Sequence, residues 1–254
     1  MYRKLRTSRL FEMLQAGCVA HTEQLGAGKE QTLDHGILWV VIQQYIEVAR
    51  MPEYDEEITV ETWPGRTMHV LFPRYFRVRD AQGNIIINGS ALWTLIDQKT
   101  RKMVFADQYQ IEVPGAEQEG QAPLPKAVKS VECVHHCSFT VPYSYCDLNG
   151  HMNNARYLDL AEDAIPAASQ GKQLKTVTTQ YAEEIRFNET IDVSWSQVEN
   201  SYFISGGHAA GKHFLLIRKR EETSKCQPGP YQSLSKERCL SRHIQRICIT
   251  EVQA

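Results

Sequence analysis

The chain of 254 residues has no long apolar run: its longest strongly apolar stretch, Ile37 to Ile42, is too short to span a bilayer. Its 15 glycines are far from the one-third share that a collagen-like helix needs. Charge of one sign is missing as well. With 28 basic and 30 acidic residues the net charge is −2, so no strong overall field draws the chain to nucleic acid or a membrane surface. The seven cysteines contain no C-x-x-C pair, are odd in number and are irregularly spaced, which argues for reduced thiols rather than a disulfide scaffold. Met1 to Leu14 carries four basic residues but no continuous apolar core, so no secretory signal is expected and a cytoplasmic location is. What is present, 42% hydrophobic and 23% charged residues, excludes a wholly disordered chain and suits one large domain or two small ones.

One plan is used twice. Thr7 to Leu25 has helical spacing, with Leu10, Leu14 and Cys18 on one stripe, Phe11 and Val19 beside it, Thr7 or Ser8 as a cap and Gly26 as a stop. Strand-like runs follow at Ile37 to Val48, Glu57 to Trp63, Arg74 to Arg79, Ile85 to Asn88 and Ala91 to Ile96. Val113 to Pro125 then gathers three prolines and few apolar side chains, a linker composition. Beyond it come a strand through Cys133 to Val141, a polar turn, and a helix from near Asn153 that ends by Pro166. Strands follow at Thr176 to Phe187, Thr190 to Val198, Tyr202 to Gly206 and His213 to Arg218, with turns at Asn200-Ser201 and Ala210-Gly211. Gln44-Tyr45-Ile46-Glu47 is echoed by Gln180-Tyr181-Ala182-Glu183, which fits duplication of a unit of about 135 residues or chance similarity of two strands. A helix followed by antiparallel strands predicts an α+β unit in which a twisted sheet wraps the helix. Two such units can continue one sheet and hide two edges.

The chemistry concentrates in Asp147-Leu-Asn149-Gly-His151-Met-Asn153-Asn154, between a strand and a helix. Asn153 or Asn154 suits an N-cap, which would set the loop at the positive end of the helix dipole, where backbone N–H groups can hold an oxyanion. His151 can titrate near neutral pH or orient a carbonyl, Asp147 can accept a proton or orient water, and Gly150 gives the loop its freedom. Spacing alone also allows an ordinary Asx-rich turn with a helix cap.

Asp147 through Tyr157, D-L-N-G-H-M-N-N-A-R-Y, resembles the active-site signature of hotdog-fold thioesterases, in particular the acyl-acyl carrier protein (acyl-ACP) thioesterases of plants and bacteria. Ile37-Leu-Trp39-Val-Val, Asp55 through Trp63, and Ala91-Leu-Trp93 through Thr100-Arg101 are similar to the first half of that family, and the resemblance runs from about residue 5 to residue 218. It implies a double hotdog, each unit a long helix wrapped by a curved antiparallel β-sheet. The expected division is 1–112 as an N-terminal unit holding the acyl-chain pocket, 113–130 as linker, 131–220 as the catalytic unit and 221–254 as an atypical basic tail. Carried over position by position, the catalytic residues are Asp147, Asn149, His151 and Glu184, with Glu183 as the alternate carboxylate, because strand alternation puts Glu183 on the face of Tyr181 and Ile185. Plant members carry a cysteine directly after that glutamate. Ile185 stands there in this chain, so no covalent cysteine mechanism rests on the position, and neighbouring Cys146 is given no role. The implied activity is attack of water on a fatty acyl-ACP thioester without cofactor or metal. An acyl-CoA thioesterase and a non-catalytic acyl-thioester binding protein are the alternatives.

Asn153, Asn154, Trp39 and Trp93 are expected to contact substrate, and Val40, Ile42, Leu71, Phe72 and Leu92 are further candidates for the pocket wall or for plain core. The first unit has no D-x-N-x-H, and Val48 stands where Glu184 would be echoed. Acyl carrier protein bearing a fatty acyl chain is the expected partner, nucleic acid and membrane are not, and a homodimer is left open. Cys133, His135, His136 and Cys137 can bind metal as residue types, but alternate positions of one strand suit ordinary side chains better than a tetrahedral site. From Lys212 to Ala254 there are nine Lys/Arg against four Asp/Glu. That bias fits either a patch for an acidic carrier protein or a solvated tail, and the strand pattern is not continued there.

Overall fold

The computed structural model describes residues 4–129, 131–164, 173–208, 211–221 and 245–249. The helix end expected by Pro166, Ala210 of the last turn, and most of the 221–254 tail with Cys226 and Cys239 lie outside the described residues.

The first half opens with α1 (Thr7–Gln24), whose stripe buries Leu10, Phe11, Leu14 and Cys18. Val19 departs from the expectation and is 54% exposed. So does the helix start: Arg6 is the cap residue and no side chain caps it, because the Thr7 hydroxyl donates to Glu162 Oε1 on the second helix at 3.0 Å. Gly26 follows the helix at φ +71°, the left-handed conformation that stops it. Then come β1 (Ile37–Val48), β2 (Ile58–Pro64), β3 (Phe72–Asp80) and β4 (Ile85–Asp97). β4 is one strand where the sequence suggested two. Gly89 lies inside it because β1 passes so close that a Cβ there would meet Ile46 Cγ2 at 2.8 Å and the Tyr45 carbonyl at 2.9 Å.

The second half runs β5 (His135–Thr140), α2 (Arg156–Ala164), β6 (Gln173–Tyr181), β7 (Thr190–Val198), β8 (Ser201–His208) and β9 (Gly211–Glu221). A last strand, β10 (Gln245–Ile249), pairs with β2. The tail therefore does contain strand, which pairs along the β2 edge. All pairings are antiparallel in one 10-stranded sheet of order β10-β2-β3-β4-β1-β6-β9-β8-β7-β5. The halves meet at β1 and β6, where Gln43 faces Gln180 and Glu47 faces Thr176. From that seam outward each half threads the same path, β1-β4-β3-β2 on one side and β6-β9-β8-β7 on the other. The two strands that share the sequence echo are the seam partners.

The helices are tied as well. Arg156 on α2 pairs with Glu12 on α1 and, at 2.6 Å, with Asp159. One core cluster takes in Leu14, Phe76, Leu158, Val177 and Ile204, so residues of both halves share it. Among the described residues no helix is long and apolar enough to cross a membrane.

The proline-rich segment between the halves is docked rather than free. The Ala116 N–H donates to the Pro64 carbonyl, the Asn88 amide to the Gly120 carbonyl, and the Ser90 hydroxyl to the Pro123 carbonyl. A Cβ on Gly115 would come within 2.5 Å of the Gly65 carbonyl carbon and oxygen, which are backbone atoms with little room to yield. Gly115→Ala is expected to cost about 1–3 kcal/mol through overpacking, read as a lower Tm in thermal melts. An unchanged Tm would show that the strap lifts off freely.

Candidate active site

Two loops build the site. The first is closed by Asp147, whose Oδ1 accepts the N–H of Asn149 at 2.8 Å and of His151 at 3.3 Å. The Asp147 N–H donates to the His151 carbonyl at 2.8 Å, and Gly150 turns the chain at φ +76°. This is the Asx-type turn that the spacing allowed, and it leaves the Asn149 and His151 side chains on a cavity wall. Asn153 Oδ1 accepts the Ala155 N–H at 2.9 Å, so α2 starts at Arg156, about one turn later than expected near Asn153.

The second loop follows β6, which ends at Tyr181 rather than running to Phe187. The reason is a change of backbone partner. The Ile185 carbonyl accepts the Met152 N–H at 2.7 Å, and Arg186 bridges to His151, so this segment pairs with the polar loop. Strand alternation therefore does not decide between Glu183 and Glu184. The contacts differ: Glu184 Oε2 lies 3.3 Å from His151 Nε2, while Glu184 Oε1 meets Arg101 Nη2. Glu183 lines the same cavity.

Arg101 comes from the turn after β4 in the first half, at φ +58°. Asp97 holds that turn, its Oδ1 accepting the N–H groups of Lys99 at 3.1 Å and Thr100 at 2.6 Å. Arg101 is the site residue that sequence reasoning missed. Its segment carries only the family resemblance, and no spacing links residue 101 to residue 184.

The imidazole is electrostatically biased. Burial pushes the His151 pKa below the ordinary histidine value, the Arg101 cation lowers it further, and Arg186 adds to that, against Asp147 and Glu189. These effects favour the neutral imidazole over the imidazolium. A carboxylate beside Nε2 favours the tautomer with its proton there, which leaves Nδ1 as an acceptor. Behind it, the Tyr181 hydroxyl donates to the Asn154 carbonyl at 3.1 Å. Burial raises the pKa of both Tyr181 and Tyr157, keeping them as neutral donors.

The loops open onto a cavity of about 680 Å³ that runs into the first half between α1 and the sheet. Trp39 and Trp93 stand on its wall with Val40, Val41, Ile42 and Phe72. The Trp39 indole donates to the Ala27 carbonyl at 2.9 Å and meets Phe72 edge-on at 4.8 Å. Asn154 is on the wall too. Asn153, Leu71 and Leu92 do not line it. Asn153 spends its side chain on the turn, and Leu92 is packed in the sheet against Gln43 and Pro73.

The histidines of β5 lie elsewhere. His135 stacks on Trp195 at 3.9 Å and His136 Nδ1 lies 2.8 Å from the Ser194 hydroxyl. Among the described residues no group of three or more His, Cys, Asp or Glu is placed to hold a metal ion.

Comparison with known proteins gives this geometry a family. The model of the acyl-ACP thioesterase N-terminal domain matches residues 1–109, and that of the acyl-ACP thioesterase C-terminal domain matches residues 128–227. A chloroplastic acyl-[acyl-carrier-protein] hydrolase of Cuphea viscosissima is 26% identical over 198 residues, 73% of this chain and 46% of that protein. An oleoyl-acyl carrier protein thioesterase of Coriandrum sativum is 24% identical over 170 residues, 61% of this chain and 46% of that protein. The chain thus spans about half the length of the curated relatives it matches. Among solved structures, an acyl-ACP thioesterase from Bacteroides thetaiotaomicron superposes with TM-score 0.72 at 24% identity, covering 86% of this chain and 90% of that one. A 12:0-ACP thioesterase from Umbellularia californica does so with TM-score 0.71 at 18% identity, covering 87% and 92%. The fold is the double hotdog of these structures, with a second helix described over nine residues. On both domain models and this shared fold, the chain belongs to the acyl-ACP thioesterase family.

Proposed function

We propose that this chain hydrolyses fatty acyl-ACP to a free fatty acid and holo-ACP, with water as the nucleophile. The observation that carries the reading is the His151–Glu184 pair on the wall of a largely apolar cavity of about 680 Å³. The fatty chain lies in the cavity, which sets its thioester carbonyl beside the two loops. Water attacks the carbonyl carbon and gives its proton to the imidazole–carboxylate pair. The Asn154 N–H, which meets no acceptor among the described residues, and the Asn149 amide receive the oxyanion. The C–S bond then breaks, and the proton returns to the carrier's thiolate. Asp147 acts by holding the loop, with Oδ1 committed to two N–H groups. An intracellular setting with acyl carrier protein as partner follows from this reading.

The test is thiol release by the purified full chain over acyl-ACP and acyl-CoA panels matched in chain length. Release from acyl-ACP with the higher kcat/KM is expected. Preference for acyl-CoA would move the activity to that carrier, and binding without thiol release would make the protein an acyl-thioester binder. The pH profile adds a second expectation. The active form needs His151 neutral, and its pKa lies below the ordinary value, so the neutral form persists to lower pH. The acid limb of kcat/KM is expected to have its midpoint below about 6.5. A midpoint above that value would sink the assignment of the limb to His151.

A further inference from the structure

We infer that Arg101 is a positioning residue through which the first half, which carries no D-x-N-x-H of its own, completes the hydrolytic site of the second. The inference rests on the proposed hydrolysis and extends it to a residue outside the catalytic half. Glu184 stands on a loop and its side chain is 36% exposed, so by itself its carboxylate is free to turn. Two different partners fix it instead: Arg101 Nη2 holds Oε1, and Oε2 is thereby turned toward His151 Nε2 at 3.3 Å. The guanidinium is a planar donor fork suited to orienting a carboxylate. Its backbone is held in place by the turn that Asp97 closes, with the Arg101 N–H donating to the Asp97 carbonyl at 2.9 Å. A non-glycine residue at φ +58° carries a conformational cost, and the surrounding turn over-determines it. The chain Arg101–Glu184–His151 therefore runs from the end of β4 to the loop before α2, crossing between the halves.

The charged groups that face His151 are Arg101, Arg186, Asp147 and Glu189, together with Glu184 at 3.3 Å. Removing Arg101 withdraws a nearby cation from both His151 and Glu184. His151 then takes up its proton at higher pH, which disables the pair.

The experiment compares the wild-type chain with Arg101→Gln, Arg101→Lys, Glu184→Gln, the Arg101→Gln/Glu184→Gln double variant and Lys102→Gln. Arg101→Gln is expected to lower kcat roughly 10- to 100-fold with KM little changed, the scale of a misplaced catalytic group. Its acid limb should move to higher pH. Arg101→Lys should recover part of kcat. The double variant should be no worse than Glu184→Gln alone, since Arg101 acts through that carboxylate. Lys102→Gln removes an exposed neighbouring charge outside the cavity and should keep wild-type kcat. Wild-type kcat in Arg101→Gln, a rise in KM alone, or additive losses in the double variant would each overturn the inference. NMR titration of His151 reads the same contact without turnover, and the midpoint should rise in Arg101→Gln. If the wild-type chain releases no thiol the hydrolase reading fails, and an unmoved His151 titration then decides against Arg101 separately.

Discussion

Replacing His151 by alanine is expected to lower kcat for acyl-ACP hydrolysis roughly 100- to 10,000-fold, the range for losing a general acid–base group. Glu184→Gln should fall in the same range, because the imidazole and the carboxylate act as one unit across 3.3 Å. The fold should survive both changes. The polar loop is closed by backbone N–H groups on Asp147 Oδ1 and by the Asp147 N–H on the His151 carbonyl, none of which needs the imidazole. Tm is therefore expected to stay within a few degrees of wild type while turnover disappears. Asp147→Asn is less diagnostic, since it weakens the acceptor that shapes the loop and lowers activity by disordering it. Steady-state thiol release at saturating acyl-ACP, alongside thermal melts, makes the comparison. Near-native kcat in His151→Ala would remove this site from the chemistry.

Enlarging Val41 to phenylalanine is expected to shorten the preferred acyl chain. Val41 is buried on β1, where it faces Trp93 across the β1–β4 pairing, and it lines the cavity. Each methylene buried from water contributes about 0.8 kcal/mol, so space lost for two methylenes lowers kcat/KM for the longest accepted chain roughly 15-fold relative to the chain two carbons shorter. Trp93→Leu opens the same wall and should shift the preference the other way. The indole Nε1 of Trp93 is buried without a partner among the described residues, so its loss forfeits no hydrogen bond seen there. Competition assays over mixed acyl-ACP chain lengths read the shift directly. If both variants kept the wild-type profile, the cavity would not be where the acyl chain lies.

The local grammar of this chain was legible from residues alone. The stripe Leu10, Leu14, Cys18 gave α1, and alternating β-branched runs gave most of the strands. Expectation failed where the backbone chose partners far away in sequence. Ile185 pairs with Met152 instead of extending β6, Gly89 joins two runs into β4 because β1 packs against it, and Thr7 turns from capping its helix to bonding Glu162. The segment from Val113 to Pro125 has linker composition yet is pinned to the sheet by carbonyls, which composition does not encode.

Periodicity and turn chemistry act over a few residues, and they made most of the elements, their doubled order and the loop carrying Asp147, Asn149 and His151 readable. Long-range folding alone sets the Glu184 carboxylate beside the imidazole, brings Arg101 of the other half onto it, and joins the two halves around one cavity. Those contacts span up to 83 positions along the chain and are fixed by sheet register at the β1–β6 seam, which no local pattern specifies.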